Sequence, residues 1–178
     1  QWIDHGGIAC TLASHWISLE ALDGQGMLWN KRRFGSDLLV ALTVEENTEW
    51  LGWAQQPSHK HYPQDNICVS LSSKADRDSG YRVEFNARQR TAVLYRGGVE
   101  VAAADRGLTR SRHAGGGGPP WFRRNGFLVA KEGGLVRALV NGTEVLRFQD
   151  AEPPAVSRVG IGGYDTRVNF SWVEICEM

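Results

Sequence analysis

The sequence has no apolar run long enough to cross a membrane as a helix, which takes about 20 residues. Its first residues, Gln1-Trp2-Ile3-Asp4, lack the basic and apolar regions of a signal peptide. The expectation is a soluble chain with no membrane insertion, compatible with a leader already removed and with a place in a longer polypeptide. There is no excess of charge either, since 20 Lys and Arg balance 20 Asp and Glu. The global field that would hold a nucleic-acid backbone is missing, so nucleic acid is not an expected partner. Cysteine is scarce: Cys10, Cys68 and Cys176 form no CxxC pair and no zinc spacing. They read as small buried apolar residues; the alternative is a Cys10–Cys176 bridge, whose geometry sequence spacing cannot supply. The long 3.6-residue apolar stripes of helices are absent. The run Gly115-Gly116-Gly117-Gly118-Pro119-Pro120 has neither the Lys nor the Ser/Thr of a phosphate-binding loop, which gives no support for a nucleotide site.

What the chain does have is glycine and tryptophan. Among 178 residues there are 21 Gly and seven Trp, and many turns joining short aromatic-rich segments imply an all-β protein. Period-two alternation supports this. Leu38, Val40, Leu42 and Val44 alternate with Leu39, Ala41 and Thr43; Ile67, Val69 and Leu71 with Cys68, Ser70 and Ser72; and Tyr81, Val83 and Phe85 with Arg82, Glu84 and Asn86. Further strands are predicted over 8–12, 15–22, 26–31, 92–96, 99–104, 126–132, 135–140, 143–149, 156–162 and 167–175, about thirteen in all, at the spacing of a sandwich. Gly97-Gly98, Gly133-Gly134 and Asn141-Gly142 predict three hairpins, because their central positions tolerate positive φ. The fold class expected is a single two-sheet antiparallel β-sandwich over residues 1–178, with the first and last strands near one another. Trp29 and Trp172 fall on predicted strands and are expected in the core.

Two long irregular stretches, 46–66 and 105–125, interrupt the strands, and loops of this length in a compact domain are usually functional or disordered. The first carries Trp50, Trp53, His59, His61 and Tyr62; the second ends in Trp121-Phe122-Arg123-Arg124-Asn125. Aromatic rings are apolar platforms suited to the C–H face of a sugar, while His, Asn and Arg hydrogen-bond its hydroxyls. The alternative is that these rings fold down to bury the sheet edge. Arg82, Glu84 and Asn86 share one strand face and make a binding floor for a carbohydrate if that face is concave, with Ser70 and Ser72 beside it, or a solvated convex face with an internal ion pair if it is not. His59 and His61 read as a loop pair, with metal chelation as the alternative. Asp76-Arg77-Asp78-Ser79-Gly80 reads first as a hairpin turn; calcium held by Asp76 and Asp78 is the alternative, since the remaining ligands of a calcium loop are missing.

The stretch Gly26-Met27-Leu28-Trp29-Asn30-Lys31, followed by Phe34-Gly35-Ser36-Asp37-Leu38-Leu39-Val40, resembles the early strands of concanavalin A-like lectin/glucanase jelly rolls. The tail, with Val136 to Val140, Asn141-Gly142, Val145 to Phe148, Asp150, Val159-Gly160-Ile161-Gly162-Gly163 and Val168-Asn169-Phe170 to Ile175, is similar to the closing strands of laminin-G-like domains and of 3-keto-disaccharide hydrolase-type domains. The resemblance rests on strand and turn pattern and implies a jelly roll with an extracellular or periplasmic setting. It transfers no catalytic residue: Glu45-Glu46-Asn47-Thr48-Glu49 departs from the glucanase E-x-D-x-E motif, with Asn at the centre. The function expected is carbohydrate recognition, with Trp53 and Trp121 as platforms and Arg82, Glu84, Asn86, His59 and His61 as polar contacts. The alternatives are a glycoside-processing enzyme with Glu84 as acid/base and a protein-interaction module.

Overall fold

The computed structural model describes residues 2–5, 8–13, 16–45, 66–86, 91–104 and 124–178. These form twelve strands: β1 (Trp2–His5), β2 (Ile8–Ala13), β3 (Trp16–Asn30), β4 (Leu38–Glu45), β5 (Asn66–Ser72), β6 (Gly80–Asn86), β7 (Thr91–Arg96), β8 (Val99–Ala104), β9 (Arg124–Glu132), β10 (Leu135–Val140), β11 (Thr143–Gln149) and β12 (Arg158–Glu177). Every pairing is antiparallel. Among the described residues no helix is long and apolar enough to cross a membrane.

Two strands run through both layers. The first half of β12, Arg158–Gly163, pairs with β5, and its second half, Asn169–Glu177, pairs with β4. β3 follows β12 along both halves. One sheet is therefore β1-β3-β12-β5-β6-β7-β8 and the other β2-β3-β12-β4-β9-β10-β11. The sequence expectation of separate strands at 15–22 and 26–31, and again at 156–162 and 167–175, is corrected on this point. Polar and glycine-rich residues at each junction look like turns, but the backbone continues through them with an irregularity between Tyr164 and Thr166. β1 is a strand that the alternation did not reveal.

The period-two pattern sorts the faces as expected. Ile161, Val69, Leu71, Tyr81, Val83, Phe85 and Leu94 of the first sheet face Leu19, Leu38, Val40, Leu42, Phe127, Val129 and Phe170 of the second in one buried cluster. Burying each such side chain contributes about 1.5–3 kcal/mol. Phe85 and Phe127 meet across the layers with ring centroids 4.9 Å apart, tilted at 52°. The three hairpins form where predicted. Asn141 and Gly142 both take the left-handed conformation (φ 49° and 78°), which the two-residue turn between β10 and β11 requires.

One expectation fails and one alternative falls. Trp172 is not in the core: it is 55% exposed. A bulge between Phe170 and Trp172 adds Ser171 to the strand opposite β4, so residues that would share a face by alternation part company, Phe170 turning inward and Trp172 outward. The Cys10–Cys176 bridge does not form, because Cys176 carries a free thiol that donates to Glu174 Oε1 at 3.5 Å. Trp29 is buried as expected, although in a separate cluster with Met27 and Cys68, on the outer face of the first sheet.

Candidate functional site

The outer face of the first sheet is read directly from its register. Ser70 lies opposite Arg82, Cys68 opposite Glu84, and Arg82 opposite Tyr95. On the other side of β5, Gly160 and Gly162 lie opposite Ser70 and Cys68 and also face Trp29 and Met27 of β3. The two glycines explain how a tryptophan and a methionine lie flat there. A Cβ on Gly160 would sit 2.7 Å from Met27 Cε and 2.9 Å from Trp29 Cε3. Met27, Trp29 and Cys68 then form a small apolar floor, with Ala75 packed against it. The β5–β6 turn folds onto this floor: Ser72 Oγ donates to the Asp76 carbonyl at 2.8 Å and Ser70 Oγ to the Arg77 carbonyl at 3.4 Å.

Beside that floor stands a charged constellation. Arg82, only 5% exposed, donates through an Nη to Asp78 Oδ1 at 2.8 Å. Its Nε lies 3.0 Å from Glu84 Oε1, in an alignment that leaves the buried N–H without a hydrogen bond. Its guanidinium covers one face of the Tyr95 ring, 4.3 Å from the centroid. Burial pushes the Tyr95 phenol up, and the negative charge of Glu84 adds to this, outweighing the opposing pull of Arg82. The Cys68 thiol is pushed up to about 12, first by burial and then by Glu84. Its S–H points at Met27 Sδ, 3.2 Å away. Cys68 is therefore protonated and inert at neutral pH.

This arrangement leaves the Asp78 and Glu84 carboxylates partly in solvent above a buried guanidinium. Glu84 keeps its side chain 30% exposed while Arg82 is held at 6%, so Glu84 meets solvent and Arg82 fixes it from beneath. Asp78 and Glu84 are bridged by the Arg82 guanidinium instead of facing each other across an open gap. Asp76 and Asp78 form the expected hairpin turn. The Asp78 amide donates to Asp76 Oδ1, and Asp78 Oδ1 is engaged by Arg82 and lies 3.5 Å from Arg77 Nε. Among the described residues no group of three His, Cys, Asp or Glu gathers that could hold a metal ion.

The predicted residues divide cleanly. Arg82 and Glu84 share the face with Ser70, as alternation requires. Asn86 continues their strand and pairs with Asn66 on one side and Thr91 on the other. Trp50, Trp53, His59, His61, Tyr62, Trp121 and Arg123 lie outside the described residues. Where their segments join the sheet is described: β5 starts at Asn66 and β8 ends at Ala104, which pairs with Ala92. The chain therefore returns from the first segment, and departs into the second, at the rim that Asn86 and Thr91 occupy. Sequence reasoning missed Tyr95, which becomes part of the constellation only through cross-strand pairing. It also missed Tyr164, 47% exposed on the same outer face, opposite Gln25 and two residues beyond Gly162.

No known family matches the sequence, and neither does any curated protein. Solved structures do match in fold. The carbohydrate binding module CBM66 from Bacillus subtilis superposes with a TM-score of 0.70 at 12% identity, covering 98% of this chain and 94% of that one. The exoplasmic/lumenal domain of VIP36, in a form bound to Ca2+ and Man3GlcNAc, gives 0.68 at 10% identity, covering 99% and 84%. A Bacillus subtilis protein of unknown function with a galectin-like fold gives 0.66 at 13% identity, covering 99% and 89%. At these identities the likeness is one of fold: an all-β, two-sheet antiparallel sandwich of the jelly-roll kind.

Proposed function

We propose that this protein recognises a carbohydrate on the outer face of its first sheet, at the rim where β5, β6, β7 and β8 receive and release the two long segments. The observation that carries the reading is the braced carboxylate. Arg82, buried and shared between Asp78 and Glu84, holds Glu84 in place with part of its surface in solvent. A fixed carboxylate accepts hydroxyl hydrogen bonds without losing side-chain freedom on binding, which lowers the cost of association. The neighbouring fold relatives include a carbohydrate binding module and a mannose-oligosaccharide-bound lumenal domain, which favours a sugar as the ligand class. Asn86 extends the polar row. Trp50, Trp53, His59, His61, Tyr62, Trp121 and Arg123 belong to segments that join the same rim, with Trp53 and Trp121 in the role of stacking platforms. The closing-strand likeness to laminin-G-like and 3-keto-disaccharide hydrolase-type domains is a refinement of the same reading.

The test is binding of the purified chain to a glycan array, beside Glu84→Gln, with far-UV circular dichroism as the fold control. Binding by the wild type and its loss, at retained fold, in Glu84→Gln supports the site. Undiminished binding by Glu84→Gln removes Glu84 from it.

A further inference from the structure

We infer that the ligand is an oligosaccharide laid across the strands from Glu84 to Tyr164, with the Tyr164 ring as a second subsite; this rests on the carbohydrate reading above and deepens it. Tyr164 is one of four large apolar side chains found exposed among the described residues. Alternation along β12 puts it on the side of Gly160 and Gly162, whose missing Cβ atoms would meet Met27 and Trp29. That is the face of Cys68, Arg82 and Glu84. Gly163 pairs with Ile67, so Tyr164 stands level with Asn66 and Asn86 at the rim.

The separation follows from sheet geometry. Tyr164 and Glu84 are two strands apart across β5 and one two-residue step apart along the strands, which together make about 12 Å. Between them lie Gly162, with no side chain, and Cys68, whose thiol packs against Met27 in the apolar floor. A single sugar ring reaches one end of this span and not the other. Tyr95 cannot take the platform role on the ring face that the Arg82 guanidinium already covers, whereas Tyr164 keeps nearly half its surface in solvent. A ring stacked on Tyr164 and hydroxyls bonded to Glu84 therefore belong to different units of one chain.

The experiment uses an array of gluco-, galacto-, manno- and fructo-oligosaccharides of one to four units, followed by calorimetry on the series that binds. The proteins are the wild type, Tyr164→Ala and Tyr164→Phe. The expected result is wild-type affinity that rises about tenfold between the single sugar and the longer members, the scale of one aromatic stacking contact. Tyr164→Ala abolishes that rise and leaves the single-sugar affinity unchanged; Tyr164→Phe keeps it. A wild type that binds the single sugar as tightly as the longer chains, or a Tyr164→Ala variant that keeps the rise, overturns the second subsite while leaving the Glu84 site standing. No binding to any member by the wild type overturns both.

Discussion

The Tyr81 hydroxyl donates to Asp150 Oδ2 at 2.7 Å, joining β6 of the first sheet to the residue that follows β11 of the second. Tyr81 is fully buried and Asp150 nearly so. The same carboxylate receives Arg96 Nε and, on Oδ1, the Glu152 amide at 2.9 Å. A buried carboxylate is tolerable only with such a set of donors. Tyr81→Phe removes one donor while preserving the ring, and a hydrogen bond to a charged group contributes about 1.5–3 kcal/mol. Urea unfolding is expected to show that loss with an unchanged m-value.

The same carboxylate sets an acid limit. Burial raises the Asp150 pKa, but Tyr81, the Glu152 amide and Arg96 together outweigh it and hold the group below the ordinary carboxylate range. A depressed folded pKa contributes stability that is present above the unfolded value of about 4 and is lost as pH falls through the folded value. Stability measured from pH 6 downward is expected to decline below about pH 4, and Asp150→Asn to decline less steeply across that window. An identical slope in the two proteins removes Asp150 from the acid transition.

Gly160 and Gly162 lead to a graded prediction. At Gly160 an added Cβ strikes the flexible end of Met27 and the edge of Trp29, whereas at Gly162 it falls 2.1 Å from the Gly26 carbonyl oxygen. The first neighbours can shift; a backbone carbonyl inside a paired strand cannot. Gly160→Ala is expected to cost about 1–3 kcal/mol by overpacking, and Gly162→Ala more than that. Thermal melts that rank them the other way contradict the packing described for this face.

How far the sequence could reveal these features depends on the range of the interaction that sets each one. Tyr81, Val83 and Phe85 against Arg82 and Glu84 is a local alternation, and Asn141-Gly142 is a local turn, so the faces and the hairpin were legible. Trp172 was misread because the bulge at Ser171 reverses the alternation, and a bulge is fixed by the pairing with β4, which lies over a hundred positions away. Tyr95 and Tyr164 were overlooked for a related reason: each reaches Glu84 or its face across strands. The junctions in β3 and β12 read as turns because local polarity outvoted a pairing that only the assembled sheets supply.

Cys68 is expected to be chemically silent. Its thiol pKa, pushed up to about 12 mainly by burial, leaves a negligible thiolate fraction at pH 8. Titration of the native protein with a chromogenic disulfide reagent at pH 8 should give the same count for the wild type and Cys68→Ala. In denaturant the counts should differ by one. A native count lowered by the substitution means that the floor under Glu84 opens in solution.

Arg82 is expected to resist conservative replacement. It bridges Asp78 at 2.8 Å and Glu84 at 3.0 Å while lying over Tyr95, and a planar guanidinium does all three where a lysine ammonium on a flexible stem does not. Removing it leaves two carboxylates side by side without the charge that bridges them. Breaking a fully buried pair costs about 3–5 kcal/mol, but Asp78 and Glu84 retain 49% and 30% of their side-chain exposure, so screening reduces this to about 1–3 kcal/mol for Arg82→Met. Arg82→Lys should recover only part of that loss in denaturant unfolding. Because Arg82 holds Glu84 from beneath, both variants should weaken glycan binding even at temperatures where they are fully folded. An Arg82→Lys protein with wild-type affinity and wild-type stability would mean that Glu84 is positioned by something other than the guanidinium under it.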